Sequence, residues 1–367
     1  MIKVLHVMAG ADAGGISSVV LNYYKYINKE KIHFDIAITA DIIGLNGRRL
    51  MELGVKIYKI PLKSKDITLY KDELKKLLLE NKYDAVHVHE NETSYVALKL
   101  AKELGIPCRI AHAHTASPYT SVKGEIRRLS GCILNAKYAT NIIGCGKLAG
   151  ERIFGRSNMK SKKAFVLPNS IDTDVFRYDS KIREETREEL SVNNKYVVGM
   201  VGRIAPQKNN VYAIELFKQI KEKIENAVLV IAGNGPDEKD MLETIKEKGL
   251  EQDVIFLGCR DDVNRLYQAY DIYFLPSLFE GYPVAAVEAM AAGLPVMLSD
   301  TITRELEFGS AVNYISLNEK KEWAEVALRY VKDTERSKRA DEVKRNGLDI
   351  HDTVDLLEKI YESNFIK

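Results

Sequence analysis

Two carboxylates lie eight residues apart in the segment 280–296, which reads EGYPVAAVEAMAAGLPV. Between them, Gly281 gives the backbone freedom, and Pro283 suits the first position of a helix, where a missing N–H costs nothing. The free amides of the next residues, Val284, Ala285 and Ala286, would then project from the N-terminus of that helix. Because this end carries a partial positive charge, the segment predicts a seat for a phosphate group.

The two carboxylates suit the groups on either side of such a phosphate. Glu288 lies one helical turn beyond Val284 and leans back toward the helix N-terminus, so it can reach a ribose diol. Glu280, just outside the helix, can accept hydrogen bonds from sugar hydroxyls. A diphosphate between two polyols is a nucleotide sugar. The alternative for the same residues is an ordinary alanine-rich helix that ends at Gly293 and Pro295.

A second segment, residues 197–210, adds two cations. Its apolar start, VVGMV, predicts a buried parallel strand, and Gly202 opens the loop that follows. In an open α/β sheet this loop would lie beyond the carboxyl end of the strand, where ligands bind. Arg203 offers a planar fork for phosphate oxygens and Lys208 a mobile charge, so the pair suits a diphosphate. Two solvated surface cations are the alternative.

These segments and several others resemble the retaining glycosyltransferases of family 4, which have the GT-B fold. The resemblance covers most of residues 165–300, and the first half of the chain agrees more loosely. Within the family, the chain most resembles the bacterial members that assemble exopolysaccharide and capsule. The motifs that carry the resemblance are PNSID at 168–172, GRIAPQKN at 202–209, VIAGNGP at 230–236, IFLGCRDDV at 255–263, DIYFLPSLFEGYP at 271–283 and SDTIT at 299–303.

The resemblance implies a role for each residue singled out above. The two cations would bind the donor diphosphate, Glu280 the hydroxyls of the transferred sugar, and Glu288 the ribose. The donor site would be completed by Gly202, Gly281 and Tyr282. No metal and no cofactor is expected, because cations and helix amides would stabilise the leaving diphosphate. Many relatives have a second glycine where this chain has Pro283, so one backbone donor is expected to be lost.

The activity that the resemblance implies is transfer of a sugar from a nucleoside diphosphate sugar, with UDP the commonest carrier, to a hydroxyl of a glycan or lipid-linked acceptor. The anomeric configuration would be retained. One alternative is a nucleotide-sugar 2-epimerase, whose family has further histidines in the second domain. This chain has none between His114 and His351. Another alternative is a non-catalytic nucleotide-sugar-binding component of a polysaccharide assembly complex. The intact pair of cations disfavours both.

Length and composition restrict the class of protein. The 367 residues suit two domains, and the net charge of +2 gives no general reason to expect nucleic acid as a partner. The four cysteines have no metal-binding spacing, which favours a reducing compartment. No apolar run approaches the roughly 20 residues that span a bilayer, and the N-terminus lacks a signal-peptide pattern. A cytoplasmic protein is therefore expected, and a peripheral position on the plasma membrane stays open.

The alternation of apolar strands with helical patterns predicts an α/β protein with two Rossmann-like domains that face each other across a cleft. The first domain is expected at 1–168, and the second, which would bind the nucleotide sugar, at 169–350. A turn-rich linker is expected near 167–177. The last segment, 351–367, is expected to form a helix that returns to the first domain, as in other GT-B proteins.

Gly14 and Gly15 lie between the first predicted strand and the first predicted helix. Amides at this position can approach a phosphate or an acceptor. The pair lacks the GxGxxG pattern of a dinucleotide site, and a tight turn is the structural alternative. The family resemblance favours a glycine loop that lines the cleft.

The histidines include two H-x-H pairs, 87/89 and 112/114, each with both rings on one face of a strand. A metal site needs a third ligand, and the sequence shows no group of carboxylates beside these pairs beyond Glu90. No metal site is therefore predicted. His87 and His112 are expected to be buried or to orient other groups. His114 would lie at the carboxyl end of its strand, and the resemblance implies that it contacts the donor sugar or its phosphate without acting as a general base.

The segment 121–138 combines basic and apolar residues. Its apolar side chains, Ile126, Leu129 and Ile133 among them, recur at helical spacing and predict a half-buried helix with a basic outer face. A more specific hypothesis is that the basic face, which includes Lys123 and Arg127, docks on anionic lipid headgroups. Such docking would bring a lipid-linked acceptor to the enzyme.

Overall fold

The structure, a computed structural model, describes residues 1–12, 15–116, 119 and 121–365. The chain divides into two compact units. Unit 1 comprises Met1–Ser170 and Ile350–Lys367, and unit 2 comprises Ile171–Asp349. The boundary between the units thus follows Ser170, where the sequence predicted one after Pro168.

Unit 1 is built on a seven-stranded sheet in which every strand pair is parallel. The order of its strands is β3-β2-β1-β4-β5-β6-β7. The strands are β1 Ile2–Met8, β2 Ile32–Ile38, β3 Ile57–Lys59, β4 Ala85–Val88, β5 Cys108–Ala113, β6 Asn141–Gly144 and β7 Ala164–Val166. Parallel strands require crossovers, which the helices between them supply. These helices are α1 Gly15–Tyr26, α2 Leu45–Glu52, α3 Ile67–Asn81, α4 Tyr95–Glu103, α5 Val122–Tyr138 and α6 Lys147–Phe154.

Unit 2 repeats this plan with a six-stranded parallel sheet. The order of its strands is β10-β9-β8-β11-β12-β13. The strands are β8 Tyr196–Val201, β9 Ala227–Ala232, β10 Val254–Phe256, β11 Ile272–Leu275, β12 Val296–Ser299 and β13 Val312–Ile315. The helices are α7 Thr173–Phe176, α8 Ser180–Glu189, α9 Asn210–Lys223, α10 Glu238–Glu247, α11 Val263–Ala269, α12 Val284–Ala291, α13 Lys320–Arg329, α14 Arg336–Arg339 and α15 Glu342–Arg345.

The last helix, α16 (Ile350–Glu362), belongs to unit 1. The apolar face of this helix is buried, including Leu357, Ile360 and Tyr361. Its Glu358 carboxylate accepts a hydrogen bond from the Asn28 amide at 2.7 Å. The helix therefore packs as an integral part of the first unit.

Helix α5 is present where the sequence predicted a helix, but its apolar side chains point outward. Ile126, Leu129 and Ile133 are 59%, 53% and 68% exposed, and Val122 at the start of the helix is 79% exposed. The prediction that this face is half-buried is therefore wrong.

The face of α5 that packs on unit 1 consists of small and polar residues. Gly131 and Asn135 are its buried residues. A Cβ on Gly131 would lie 2.3 Å from the carbonyl oxygen of Glu92, so only glycine allows this approach. Asn135 Nδ2 donates to the carbonyl oxygen of Asn91 at 3.0 Å. Close packing on the turn at 91–93 thus decides the orientation of the helix, against its hydrophobic pattern.

Among the helices that the structure describes, none combines the length and the apolar character needed to cross a membrane.

Candidate functional site

The loop after β8 is held by backbone contacts with the loop after β9. Gly202 N donates to Ala232 O at 3.0 Å and Ile204 N to Asn234 O at 2.8 Å. Gly202 has φ +145, a conformation that favours glycine. A Cβ on Gly233 would lie 1.8 Å from Gly202 O. The sequence analysis included Gly233 only as part of a motif. It missed that Gly233 allows the loop after β8, which carries Arg203 and Lys208, to pack closely against the loop after β9.

Arg203 and Lys208 line the same small pocket at the carboxyl end of β8. Arg203 is exposed, and no ion pair to it is found within the described part of the chain. Lys208 Nζ lies 2.6 Å from Glu280 Oε1. The structure therefore brings together three of the residues predicted for the site, and it leaves the guanidinium of Arg203 available to an anion.

Glu280 is 7% exposed and is held from two sides. Besides its ion pair, it accepts a hydrogen bond from Gln207 Nε2 at 3.3 Å, and the same amide donates to Phe279 O at 2.9 Å. Gln207 O in turn accepts from Leu278 N at 2.8 Å. Gln207 thus joins the loops of the cations and the carboxylate. The sequence analysis missed this role, since only the position of Gln207 within the motif 202–209 hinted at it.

Helix α12 begins at Val284, and Pro283 is its N-cap, in an extended conformation with φ −78 and ψ 99. The carbonyl oxygen of Pro283 accepts from Ala286 N at 3.1 Å. The expectation that Pro283 is the first helical residue and that the amide of Ala286 is free is therefore wrong. The amides of Val284 and Ala285 have no hydrogen-bond partner among the described residues. Two donors, next to Gly281 and the buried Tyr282, remain at this helix end.

Glu288 follows one turn later on α12 and receives a hydrogen bond from Tyr267 OH at 2.8 Å. Burial raises the pKa of Glu288 to about 7, while the Tyr267 hydrogen bond and the charge of Lys208 act in the opposite direction. The carboxyl group therefore titrates near neutral pH. Tyr267 was not predicted, since no local pattern links it to a residue 21 positions away.

In unit 1, Gly14 lies outside the described residues. Gly15 is the first residue of α1 and is exposed. A Cβ on Gly15 would meet no atom within 4 Å, so nothing in the described structure requires glycine there. The role predicted for the two glycines stays a prediction.

His114 follows β5 directly, at the carboxyl edge of the first sheet. Its amide donates to Asn91 Oδ1 at 3.0 Å, and its Nε2 lies 2.8 Å from His89 Nδ1. Burial lowers the pKa of His114 to about 3, so the ring is neutral. Asn91 has φ +51, and it anchors both His114 and α5. The sequence analysis missed Asn91, although a positive φ is commoner for asparagine than for most residues.

Four further histidines lie buried beside His114. The ring nitrogens of His6, His87 and His89 lie within 4.8 Å of one another, as do those of His89, His112 and His114. The expected burial of His87 and His112 is confirmed. Such spacing also suits metal ligands. The H-x-H pairs alone did not reveal the group that includes His6, because His6 is far from them in the sequence. That no metal binds stays a prediction.

A polar cluster on the turn after β4 was also not predicted. Glu90 is paired with Lys63 Nζ at 2.6 Å. Glu92 accepts from Tyr119 OH at 2.9 Å and is paired with Arg127 at 3.0 Å. The turn thus presents two carboxylates near His114, each already held by a partner.

Two family descriptions match this chain. Residues 13–175 match the family described as Glycosyltransferase Family 4, and residues 181–347 match Glycosyl transferases group 1. The two matches together span both units.

Relatives and solved structures agree with these matches. A putative glycosyltransferase EpsF of Bacillus subtilis is 31% identical over 89% of this chain and 87% of the relative. The UDP-Gal:alpha-D-GlcNAc-diphosphoundecaprenol alpha-1,3-galactosyltransferase of Escherichia coli is 30% identical over 82% and 79% of the two chains. Anabaena Alr3699/HepE, solved in complex with UDP-glucose, superposes with a TM-score of 0.83 at 19% identity, over 99% of this chain and 100% of that one. The last comparison concerns the fold, and it confirms the predicted GT-B class with two Rossmann-like domains.

Proposed function

Because this chain belongs to the family-4 glycosyltransferases, we propose that it moves a sugar from a UDP-sugar to a hydroxyl of a glycan or lipid-linked acceptor during assembly of exopolysaccharide or capsule. The observation that carries this proposal is the grouping in unit 2 of two cations, a buried carboxylate and a helix end with two free amides. Such a grouping suits a diphosphate with a sugar attached.

Two comparisons support UDP as the carrier and a glycan as the product. The galactosyltransferase of E. coli is named for UDP-galactose and for an acceptor on diphosphoundecaprenol, and HepE was solved with UDP-glucose. The identity of the sugar depends on loops whose side chains differ between such enzymes. We therefore assign the carrier and leave the sugar to experiment.

The chemistry of the proposed reaction centres on the leaving diphosphate. As the glycosidic bond to the donor breaks, negative charge grows on the β-phosphate. Arg203, which has no ion-pair partner among the described residues, can stabilise that charge without breaking an existing contact. Lys208 must instead share its charge between the phosphate and Glu280. The amides of Val284 and Ala285 supply further fixed donors, and together these groups would take the place of a metal ion.

Glu280 has the geometry of an orienting group. Its carboxylate is bonded to Lys208 and Gln207, so its position is defined before any sugar binds. The remaining lone pairs can accept from hydroxyls of the transferred sugar. We assign no covalent role to it, and we assign retention of configuration to attack on the same face that the diphosphate leaves.

Helix α5 provides the contact with a membrane surface in this proposal. Its exposed apolar residues recur every third or fourth position, which gives one apolar stripe along the helix. Cations flank the stripe. The stripe consists of Val122, Ile126, Leu129 and Ile133, and the exposed cations are Lys123, Arg127 and Lys137. An amphipathic helix of this kind lies in the interface of an anionic bilayer, where a lipid-linked acceptor is found.

A panel of nucleotide sugars tests the proposed activity. The protein is mixed with each candidate, and its thermal unfolding and the slow release of UDP are measured. A ligand present at 100 times its Kd adds about 2.7 kcal/mol to the free energy of unfolding. We expect UDP and one or more UDP-sugars to stabilise the protein, and sugar to be transferred when an acceptor is added.

The same panel separates the alternatives. Release of an epimerised sugar without an acceptor would indicate the epimerase, and binding without any release of UDP would indicate a sensor. No stabilisation by UDP or by any UDP-sugar would contradict the proposal.

A further inference from the structure

Five histidines and one tyrosine of unit 1 form a continuous series of hydrogen-bonding contacts, which we call the histidine chain. The strands β1, β4 and β5 and the residues just after them carry the rings, and α16 carries the tyrosine. The contacts run from His112 Nδ1 to His87 Nε2 at 3.1 Å, His87 Nδ1 to Tyr361 OH at 2.7 Å, Tyr361 OH to His6 Nε2 at 3.5 Å, His6 Nδ1 to His89 Nε2 at 2.9 Å, and His89 Nδ1 to His114 Nε2 at 2.8 Å.

Each ring of the histidine chain is neutral at physiological pH. Burial lowers the pKa of His6 and of His114 to about 3, and it also lowers the pKa of the other three rings well below the usual value. A neutral imidazole has one N–H and one lone pair, so it donates once and accepts once. The hydroxyl of Tyr361 has one proton, and among the described residues its hydrogen-bonding contacts are with these two ring nitrogens, so it donates to one ring and accepts from the other. The contacts then all run in the same direction.

The buried end of the histidine chain decides that direction. His112 Nε2 is buried and has no hydrogen-bond partner within the described part of the protein. A buried N–H without a partner is rarer in proteins than a buried acceptor without one. The proton of His112 therefore resides on Nδ1, from which it is donated to His87.

From this end the assignment follows ring by ring. His87 accepts at Nε2 and donates from Nδ1 to Tyr361, whose hydroxyl donates to His6. His6 and then His89 each accept at Nε2 and donate from Nδ1, and His114 accepts at Nε2. Among the described residues, no hydrogen bond reaches Nδ1 of His114.

We propose that the histidine chain fixes His114 as the Nδ1–H tautomer, so that this ring presents a neutral N–H donor at the carboxyl end of β5. His114 would then contact only a ligand atom that accepts a hydrogen bond. On the proposed function, this atom is an oxygen of the donor phosphate or of the transferred sugar. With its Nε2 lone pair engaged by His89, His114 is unsuited to remove a proton from an acceptor hydroxyl.

The tautomers are measured directly by NMR on the full-length protein with ¹⁵N-labelled histidine, at a pH near 8 and without ligand. We expect all five rings of the histidine chain to be protonated at Nδ1. His33 is an internal control with the opposite tautomer. Its Nε2 lies 3.3 Å from the carboxylate of Asp35, which can only accept, and its Nδ1 lies 3.0 Å from Tyr24 OH.

Protonation of His114 at Nε2 would overturn the proposal. A tightly held, stoichiometric transition-metal ion on these nitrogens would overturn it as well, because a metal ligand cannot share the same lone pair with an N–H. Neither result depends on the proposed function, since no nucleotide is present in this measurement.

The ligand contact is tested by adding UDP or a UDP-sugar that the panel has identified. A change in the His114 Nδ1 signal with UDP alone assigns the phosphate, and a change only with the UDP-sugar assigns the sugar. No change with a ligand that demonstrably binds would contradict the contact.

Substitution of His114 separates a donor from a space-filling ring. The side-chain amide of His114→Asn can place an N–H near the position of Nδ1, whereas His114→Ala has none. We expect His114→Ala to weaken binding of the UDP-sugar about five- to tenfold and His114→Asn to recover most of the loss. Equal losses in the two variants would show that the N–H is not what the ligand uses.

Discussion

At the residue scale, Arg203 and Lys208 differ in whether they already form an ion pair. Lys208 forms an ion pair with the buried Glu280, whereas Arg203 is exposed and has no ion pair within the described chain. The two residues should therefore respond differently to substitution, although both serve the same diphosphate in the proposed reaction.

Arg203→Ala is expected to lower kcat about 100- to 1000-fold, because a missing donor to a developing oxyanion costs about 2–4 kcal/mol in the barrier. The free energy of unfolding should stay within about 0.5 kcal/mol of the wild-type value.

Lys208→Ala should lower kcat similarly and also destabilise the fold, since it leaves a buried carboxylate unpaired. Steady-state kinetics and chemical denaturation check both, with Arg329→Ala, an exposed arginine of α13, as the control. Kinetics of Arg203→Ala and Lys208→Ala close to those of wild type would refute the assignment.

Glu288 makes the stability of the protein depend on pH in an unusual direction. Its pKa is raised from the usual 4.5 to about 7 by burial, so the folded state binds a proton that the unfolded state has released. The contribution of this bound proton to the free energy of unfolding is fully present below about pH 4.5 and is lost as the pH rises through 7.

Glu288→Gln should therefore gain stability over the wild type as the pH rises from 5 to 8, by about 2 kcal/mol. Denaturation by urea at several pH values measures this difference. Glu307→Gln, at an exposed carboxyl group, is the control and should show little change. A difference between wild type and Glu288→Gln that is constant from pH 5 to 8 would contradict the prediction.

Sequence analysis singled out candidate site residues of unit 2 but not the residues that hold them in place. Arg203, Lys208 and Glu280 were predicted because they lie in short segments that contain glycine and proline, next to a strand end and a helix start. Gln207 and Tyr267 were missed, since their contacts are made with residues 72 to 73 and 21 positions away. Such supports depend on tertiary packing, which a local pattern does not contain.

At the scale of elements, α5 shows that a hydrophobic pattern predicts a helix more reliably than it predicts the buried face. The apolar residues have the spacing of a core-facing stripe, yet the contact of Gly131 with Glu92 O turns that stripe outward. The signal was present in the sequence as Gly131, one of two glycines within a helical pattern. The role of this glycine depends on the position of the turn at 91–93, which the helical pattern does not contain.

The exposed stripe predicts that α5 binds anionic vesicles. We expect the wild-type protein to float with vesicles that contain anionic lipid, and Ile126→Glu to abolish flotation without changing the free energy of unfolding by more than about 0.5 kcal/mol. Leu328→Glu, at a residue of α13 that is 50% exposed, is the matched control and should float normally. Equal flotation of the wild type and Ile126→Glu would exclude α5 as the contact.

Helix α16 contributes a hydrogen-bonding group to the sheet of unit 1 as well as apolar packing. Tyr361 and Tyr23 are both fully buried in this unit. The hydroxyl of Tyr361 contacts His87 Nδ1 at 2.7 Å, whereas the hydroxyl of Tyr23 has no partner in the described structure. The two tyrosines are thus a matched pair.

Tyr361→Phe is expected to lower the free energy of unfolding by about 1–3 kcal/mol, because it leaves a buried N–H unpaired. Tyr23→Phe should leave the stability unchanged or raise it, because it removes a hydroxyl that is already unpaired. Urea denaturation of the two variants measures the difference. Equal losses would show that the histidine chain contributes no stability through Tyr361.

At the scale of the whole molecule, the alternation of strands and helices was predictable because parallel strands, buried on both faces, are continuous apolar runs. The edge strands β7 and β13, which have three and four residues, were not predicted. The link between His6 and the H-x-H pairs was also missed. Parallel register places His6 beside His87 across 81 residues of sequence, and only the topology of the sheet specifies that register.

The central claim concerns where unit 2 holds the diphosphate of the donor. A crystal structure of the protein with UDP tests it most directly. The account predicts that the β-phosphate lies within hydrogen-bonding distance of Arg203, Lys208 and the amides of Val284 and Ala285, with the ribose against Glu288. A diphosphate bound at any other position, with these groups unchanged, would contradict it.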